Sequence, residues 1–331
     1  MQSLSHHEYL QALAAVEDDS VAILDKVEML MQIAMGLQNK PKEPKQLFDA
    51  VELYDRALCL CPDEEWLLKA RLRARKATAL YMLPVEGFEF LLQAKDEMEA
   101  VLPLFEKSVK EEHPGSASKE ELAEIEMNFG LVLQSLASYR KAKITDSIFW
   151  YQRALRVFDR VNHPAEYAIL HNNLATAYLS IPLNDEKAKM REALAVQSFE
   201  AALEVVTIED MPSEYAMLQN NLGNALQYAS SSHAVENNLR ALKAYDEALK
   251  VRDVRVSPLA YANTIANKAN CLRNLPDDPE NPEGGNSSRV AESLKLYQEA
   301  RKLFSQYGEE AKVEIVSQVI AELESLDNGR K

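Results

Sequence analysis

A fifteen-residue pattern recurs in this chain and restricts it to an architecture of stacked units. It reads Pro164-Ala165-Glu166-Tyr167-Ala168-Ile169-Leu170-His171-Asn172-Asn173-Leu174-Ala175-Thr176-Ala177-Tyr178, returns 48 residues later from Pro212 to Leu226, and begins again 46 residues after that at Pro258. A unit of this size buries its apolar face only against its neighbours, so the length of 331 residues counts repeats rather than domains.

A second signature alternates with the first. Tyr54, Ala57 and Leu58 share the spacing Tyr-x-x-Ala-Leu with Tyr9, Ala12, Leu13; Tyr151, Ala154, Leu155; Phe199, Ala202, Leu203; and Tyr245, Ala248, Leu249, with a partial copy at Tyr297 and Ala300. Aromatic and alanine lie one turn apart on one helical face, which predicts close helix approach with the ring filling the gap. With nine Gly, 7% aromatics and recurrent Ala, Leu, Glu and Lys, the chain favours helix over strand.

The opening pattern marks the first helix of each unit, and its small residue falls at Ala77, Gly130, Ala175, Gly223 and Ala269, with Gly36 a weaker member. Two alternating helix types with small residues at fixed places resemble tetratricopeptide repeats, and most of all the long, Asn-rich kind of kinesin light chains and bacterial signalling proteins. Ala168, Asn172, Asn173, Leu174, Ala175 and Tyr178 carry the resemblance, with Ala216, Asn220, Asn221, Leu222 and Gly223. It implies an all-α fold, a right-handed α-α superhelix of antiparallel helix pairs. The period of 45 to 53 residues between small residues exceeds the roughly 34 of an ordinary repeat of that family. Part of the extra length lies in the hairpin connections Pro182–Lys189, Ala229–Asn238 and Leu275–Arg289, which are expected to emerge along one edge.

The expected organisation is an N-terminal helix in 1–19 starting near Ser5, an array of five to six helix pairs over 20–307 in which 111–118 reads equally as a long loop or a hinge, and a capping helix with a frayed tail in 308–331. Pro164, Pro212 and Pro258 suit the first turn of a helix, where a missing N–H leaves nothing unsatisfied. Ser118 and Glu121 have the spacing of a capping box.

A net charge of −15 argues against nucleic-acid binding, which needs clustered Lys and Arg. The start of the chain lacks the basic and apolar segments of a secretory signal, and no apolar run is long enough to insert into a membrane. Cys59, Cys61 and Cys271 do not form a disulfide framework, so a reducing, cytoplasmic location is expected. His6, His7 and Glu8 lack metal-ligand spacing, the acids of the 277–285 loop lack that of a calcium loop, and no phosphate loop or acid-base pair appears. No cofactor, metal or catalysis is expected; homo-oligomerisation is undecided.

The candidate site is a series of polar residues two positions before the small residue of each first helix: Arg75, Asn128, Asn173, Asn221 and Asn267, with Asn172 and Asn220 beside them and Asn224 and Asn270 a turn further on. Asn is unfavourable in a helix interior, so its recurrence needs a cause. The family resemblance implies that this helix lines a concave groove whose amides hold an extended peptide. The alternative is that the amides bond to one another and fix the stacking. Among Lys69, Arg71, Arg73, Arg75 and Lys76, Arg75 is the one in register with the Asn series; the others read as a helix paired with acids. The expected function is a noncatalytic scaffold binding a peptide or protein segment; the alternatives are a regulatory subunit or assembly chaperone contacting a folded partner through the edge loops, and a hydrolase or phosphatase on a solenoid.

Overall fold

The computed structural model describes residues 20–39, 41–111, 113–182, 187–229 and 233–328, and with them Tyr9, Leu13, Ala14 and Val16. The helix start expected at Ser5 and most of the frayed 327–331 end lie outside the described residues. The described residues form thirteen α-helices and one 3-10 turn, with no strand. In chain order these are α1 Ile23–Asn39, α2 Lys45–Leu60, α3 Trp66–Met82, α4 Glu89–Glu111, α5 Lys119–Ser138, α6 Ile144–Ala154, α7 Pro164–Ser180, α8 Ala188–Leu203, α9 Pro212–Gln227, α10 Ala234–Leu249, α11 Pro258–Arg273, α12 Ser287–Gln306 and α13 Glu310–Asn328. Each odd-numbered helix from α1 to α11 packs most closely on the helix that follows it, giving six hairpins. The chain divides into two compact units at Phe158 and Asp159, and the 111–118 segment is the connection between α4 and α5. The first unit contains hairpins α1/α2, α3/α4 and α5/α6, and the second contains α7/α8, α9/α10, α11/α12 and the terminal α13.

The helix starts follow from local chemistry. Pro164, Pro212 and Pro258 occupy the first helical position of α7, α9 and α11. At α5 both arms of the capping box form: Glu121 N–H donates to Ser118 Oγ and Ser118 N–H donates to Glu121 Oε2, each at 3.0 Å.

In the α5/α6 and α9/α10 hairpins the ring of the second helix seats on the glycine of the first. A Cβ built on Gly223 would lie 2.5 Å from the Tyr245 ring, and one on Gly130 would collide with Tyr151 in the same way. Both rings are fully buried, so neither can swing aside. Each phenol also finds an amide on the first helix of its own pair. Tyr54 donates to Gln38 Oε1 at 2.8 Å, Tyr151 to Gln134 Oε1 at 2.7 Å, and Tyr245 lies 2.8 Å from both Asn224 Oδ1 and Gln227 Oε1. These bonds satisfy the one polar atom of an otherwise apolar plug, as burial requires. At Ala175, where the small residue keeps its methyl, the paired α8 carries Phe199 in place of tyrosine.

One second helix departs from the signature. α4 presents Ala94, Met98, Val101, Leu102 and Phe105 to the core at helical spacing, without the tyrosine, and contains Pro103. Its 23 residues account for much of the long interval between Ala77 and Gly130. The hairpin connections are shorter than the sequence marks them, because α8, α10 and α12 start at Ala188, Ala234 and Ser287. In the last of these, Asp277 accepts from the N–H groups of Ser288 and Arg289 at 3.1 and 2.8 Å and so caps α12. α13 closes the second unit by packing Val316, Ile320 and Leu323 onto Leu303 and Phe304 of α12.

Candidate functional site

In the first unit, the first helices α1, α3 and α5 line a cavity of about 250 Å³ together with Met98 and Phe105 of α4. α3 brings the five basic residues of the sequence to this region, and four of them are engaged. Lys69 pairs with Asp63, Arg73 with Glu97, and Lys76 with Asp55 at 2.6 Å. Arg71 makes a bidentate pair across to α5, with Nε 2.8 Å from Glu121 Oε1 and Nη2 3.0 Å from Oε2. Burial pushes the Glu121 carboxyl up, but the Arg71 bonds and the Ser118 N–H outweigh it and hold the group below its usual range. Arg75 makes no hydrogen bond or ion pair among the described residues, and it lines the cavity. Asn128 faces the same space and donates weakly to Thr78 Oγ1 at 3.5 Å. The cavity therefore joins the Arg75 guanidinium, which has no ion pair, and one amide to the thioethers of Met35, Met82 and Met98, with Glu121, held by Arg71, and Glu124 also in its lining. Arg75 offers a carboxylate paired donors and the thioethers suit an apolar stem.

In the second unit the same positions carry neutral amides, and most of them bond within the protein. Asn221 Nδ2 donates to Asn172 Oδ1 at 3.4 Å between α9 and α7, and Asn172 Nδ2 reaches Asn173 Oδ1 at 3.3 Å. Between α11 and α9, Asn267 Nδ2 and Thr264 Oγ1 both donate to Asn220 Oδ1, at 3.3 and 3.2 Å. Asn220 is buried, so it ties repeats together rather than facing a partner. Asn224 accepts from Tyr245, and Asn270 Nδ2 donates to the Tyr228 hydroxyl at 2.9 Å. Asn173 Nδ2 is buried without an acceptor. Asn172, Asn220 and Asn224 are thus taken up by the fold, while the carbonyl oxygens of Asn221 and Asn267 accept no hydrogen bond among the described residues.

Several participants were not singled out from sequence. Thr78 and Thr264 lie three residues after Arg75 and three before Asn267, a spacing that places each a turn away on the same helix face. Arg252, in the connection before α11, donates to Thr264 Oγ1 at 2.6 Å, and burial lowers its pKa. Nothing local in the sequence marks it. A further regularity ties the first helix of a pair to its second: Tyr215 donates to Glu247 at 3.0 Å and Tyr261 to Glu299 at 3.1 Å.

Among the described residues no group of three or more His, Cys, Asp or Glu side chains is placed to hold a metal ion, and no helix is long and apolar enough to cross a membrane. The three cysteines are free thiols; Cys61 and Cys271 are buried, and burial pushes the Cys271 thiol up to about 12.

The sequence matches no family model and no curated protein. Among solved structures the chain is similar to the crystal structure of BtubC (BKLC) from P. vanneervenii, at 20% identity over 75% of this chain and 88% of that one, with a TM-score of 0.49. That likeness is too distant to speak for individual residues, so the chemistry of the site rests on this chain alone.

Proposed function

We propose that this chain is a noncatalytic protein-interaction scaffold, built on repeats of the tetratricopeptide type, whose first helices hold an extended acidic segment of a partner protein. The observation that carries this reading is Arg75. In a chain with 52 acids against 37 bases, its four basic neighbours on α3 are each matched by a carboxylate, while Arg75 forms no ion pair among the described residues and lines a cavity whose own acids are Glu121, already held by Arg71, and Glu124. A guanidinium offered this way recognises a carboxylate through paired N–H donors. In the second unit Asn173, Asn221 and Asn267 supply the amide donors and acceptors that grip a peptide backbone irrespective of its sequence. Three free thiols suit a reducing compartment such as the cytoplasm.

The test begins with a partner identified by crosslinking to the parent protein, whose affinity is then measured against variants. With each hydrogen bond contributing about 0.5–1.5 kcal/mol, Arg75→Gln and the double variant Asn173→Ala, Asn221→Ala are each expected to weaken binding about fivefold or more. Parent-like affinity in both would overturn the assignment. Loss of binding confined to a variant with residues 279–283 removed would move the contact to the edge loops and favour a regulatory subunit.

A further inference from the structure

A second cavity in the first unit measures about 720 Å³ and is bounded by α4, α5, α6 and the turn between α5 and α6. Its floor is apolar: Leu102, Phe129 and Leu133 are buried, and Trp150 stands half-buried against Phe129 with ring centroids 5.2 Å apart. Arg153 lies 4.8 Å from the Trp150 centroid and fixes the indole from a further side. Pro103 lines the cavity too; it lacks the N–H that would otherwise bond the Glu99 carbonyl.

The rim is basic. Arg140, Lys141 and Lys143 are consecutive or nearly so and all exposed. Of the three acids in the lining, Glu99 pairs with Lys95 and Glu106 with Arg153, both at 2.8 Å, and Asp146 is exposed; against them stand Lys95, Arg140, Lys141 and Lys143. Lys141 sits over the Phe88 ring at 4.5 Å, and Arg140 and Lys143 form no ion pair among the described residues. On a chain of net charge −15, this leaves a local positive excess around an apolar floor.

The backbone supplies an independent observation. Arg140 has φ 58°, the only positive φ at a non-glycine among the described residues. It occupies the left-handed position of a Schellman motif: Arg140 N–H donates to Ala137 O at 3.0 Å and Lys141 N–H to Leu136 O at 2.9 Å. Glycine is the residue this position favours. Complementing the helix dipole accounts for basic residues at Lys141 or Lys143, which carry no such strain. It does not account for a guanidinium on the one residue whose backbone favours glycine. Strain kept at a cavity mouth points to use.

We propose that this cavity is a second docking site, distinct from the first-helix face, which takes an acidic segment carrying one large apolar side chain. The side chain fills the floor against Trp150, and the flanking carboxylates meet Arg140 and Lys143.

The experiment uses the full chain in a Trp66→Phe background, which leaves Trp150 as the sole tryptophan. The probe is an acetylated, amidated nonapeptide of glutamates with a central phenylalanine, followed by Trp150 emission. A saturable change is expected, weaker by about fivefold or more when the central residue is serine and absent when lysines replace the glutamates. Arg140→Gly is expected to weaken binding at least about threefold while the thermal midpoint stays level or rises, since the strain is relieved; lost affinity then cannot be lost folding. Arg75→Gln, which tests the first-helix face, should leave this titration unchanged. The proposal is overturned by no saturable signal up to about 1 mM peptide, by parent-like affinity in Arg140→Gly, or by a loss that follows Arg75→Gln instead.

Discussion

The two units carry the same three-hairpin frame and bind their repeats together with different chemistry. In the first, the strongest polar contact between first helices is ionic: Arg71 of α3 clasps Glu121 of α5 through two hydrogen bonds, beside a long bond from Asn128 to Thr78. In the second it is neutral, running from Asn221 of α9 to Asn172 of α7 and from Asn267 of α11 to Asn220 of α9. Charges tolerate imperfect geometry but are screened by salt, whereas amides need close register and ignore ionic strength. The frame sets where a polar residue stands, and the residue's chemistry sets what that face can recognise.

The widest break in the comparison should come from the shared element. Tyr151→Ala and Tyr245→Ala each remove a fully buried ring and are expected to lower the stability of their own unit by about 3–5 kcal/mol. Hydrogen exchange should show the loss in α5 and α6 for the first and in α9 and α10 for the second. Next come the glycines beneath those rings. Gly130→Ala and Gly223→Ala are expected to cost about 1–3 kcal/mol by overpacking, while Gly36→Ala, with nothing within 4 Å of its added methyl, should stabilise by up to about 1 kcal/mol. Urea titration checks all three; a neutral Gly223→Ala would remove the ring-on-glycine account.

A smaller effect sharpens the ionic against the amide tie. Glu121→Gln should cost about 0.5–1 kcal/mol at low salt, since the pair is partly exposed, and the difference from the parent should shrink in molar NaCl. The loss in Asn221→Ala should not change with salt. The smallest effect is the response to pH, and it has opposite signs in the two units. His171 of α7 is pushed below its ordinary 6.5 by burial, against the pull of Glu204, so its unfolded form binds the proton more readily. The second unit therefore loses stability as pH falls through 6.5, and His171→Gln should flatten that loss. Glu126 of α5 is pushed above its ordinary 4.5 by burial, despite Arg153 at 2.7 Å, so the folded form holds the proton. The first unit should lose stability as pH rises above 4.5 through that raised value, a slope that Glu126→Gln removes. Melting curves between pH 4 and 8, read by exchange in each unit, separate the two.

Much of the frame was legible in the sequence because ring, alanine and small residue recur at fixed spacings, and each spacing follows from helix geometry. α4 escaped that reading: Met98 and Phe105 fill its core where other second helices use the tyrosine signature, and Pro103 breaks the helical expectation. At the candidate site the positions were legible and the partners were not. That Arg75 is left over could be found only once Lys69, Arg71, Arg73 and Lys76 had met their acids, three of which stand on other helices. The cavity beside Trp150 left no trace in the sequence, because the left-handed Arg140 is a backbone state that residue type conceals.

The connection between α11 and α12 is fastened at its two ends. Asp277 N–H reaches Gly285 O at 2.9 Å, Asn286 Nδ2 reaches Arg273 O at 3.0 Å, and the Asp277 carboxylate holds the start of α12. What lies between those fastenings, 278–284, contributes little to the hairpin it joins. Because closing a longer loop grows costlier only with the logarithm of its length, this segment can change in length and content while the helices stay in place. It is where a lineage of such proteins can experiment, and where a tag or a foreign binding sequence can be grafted.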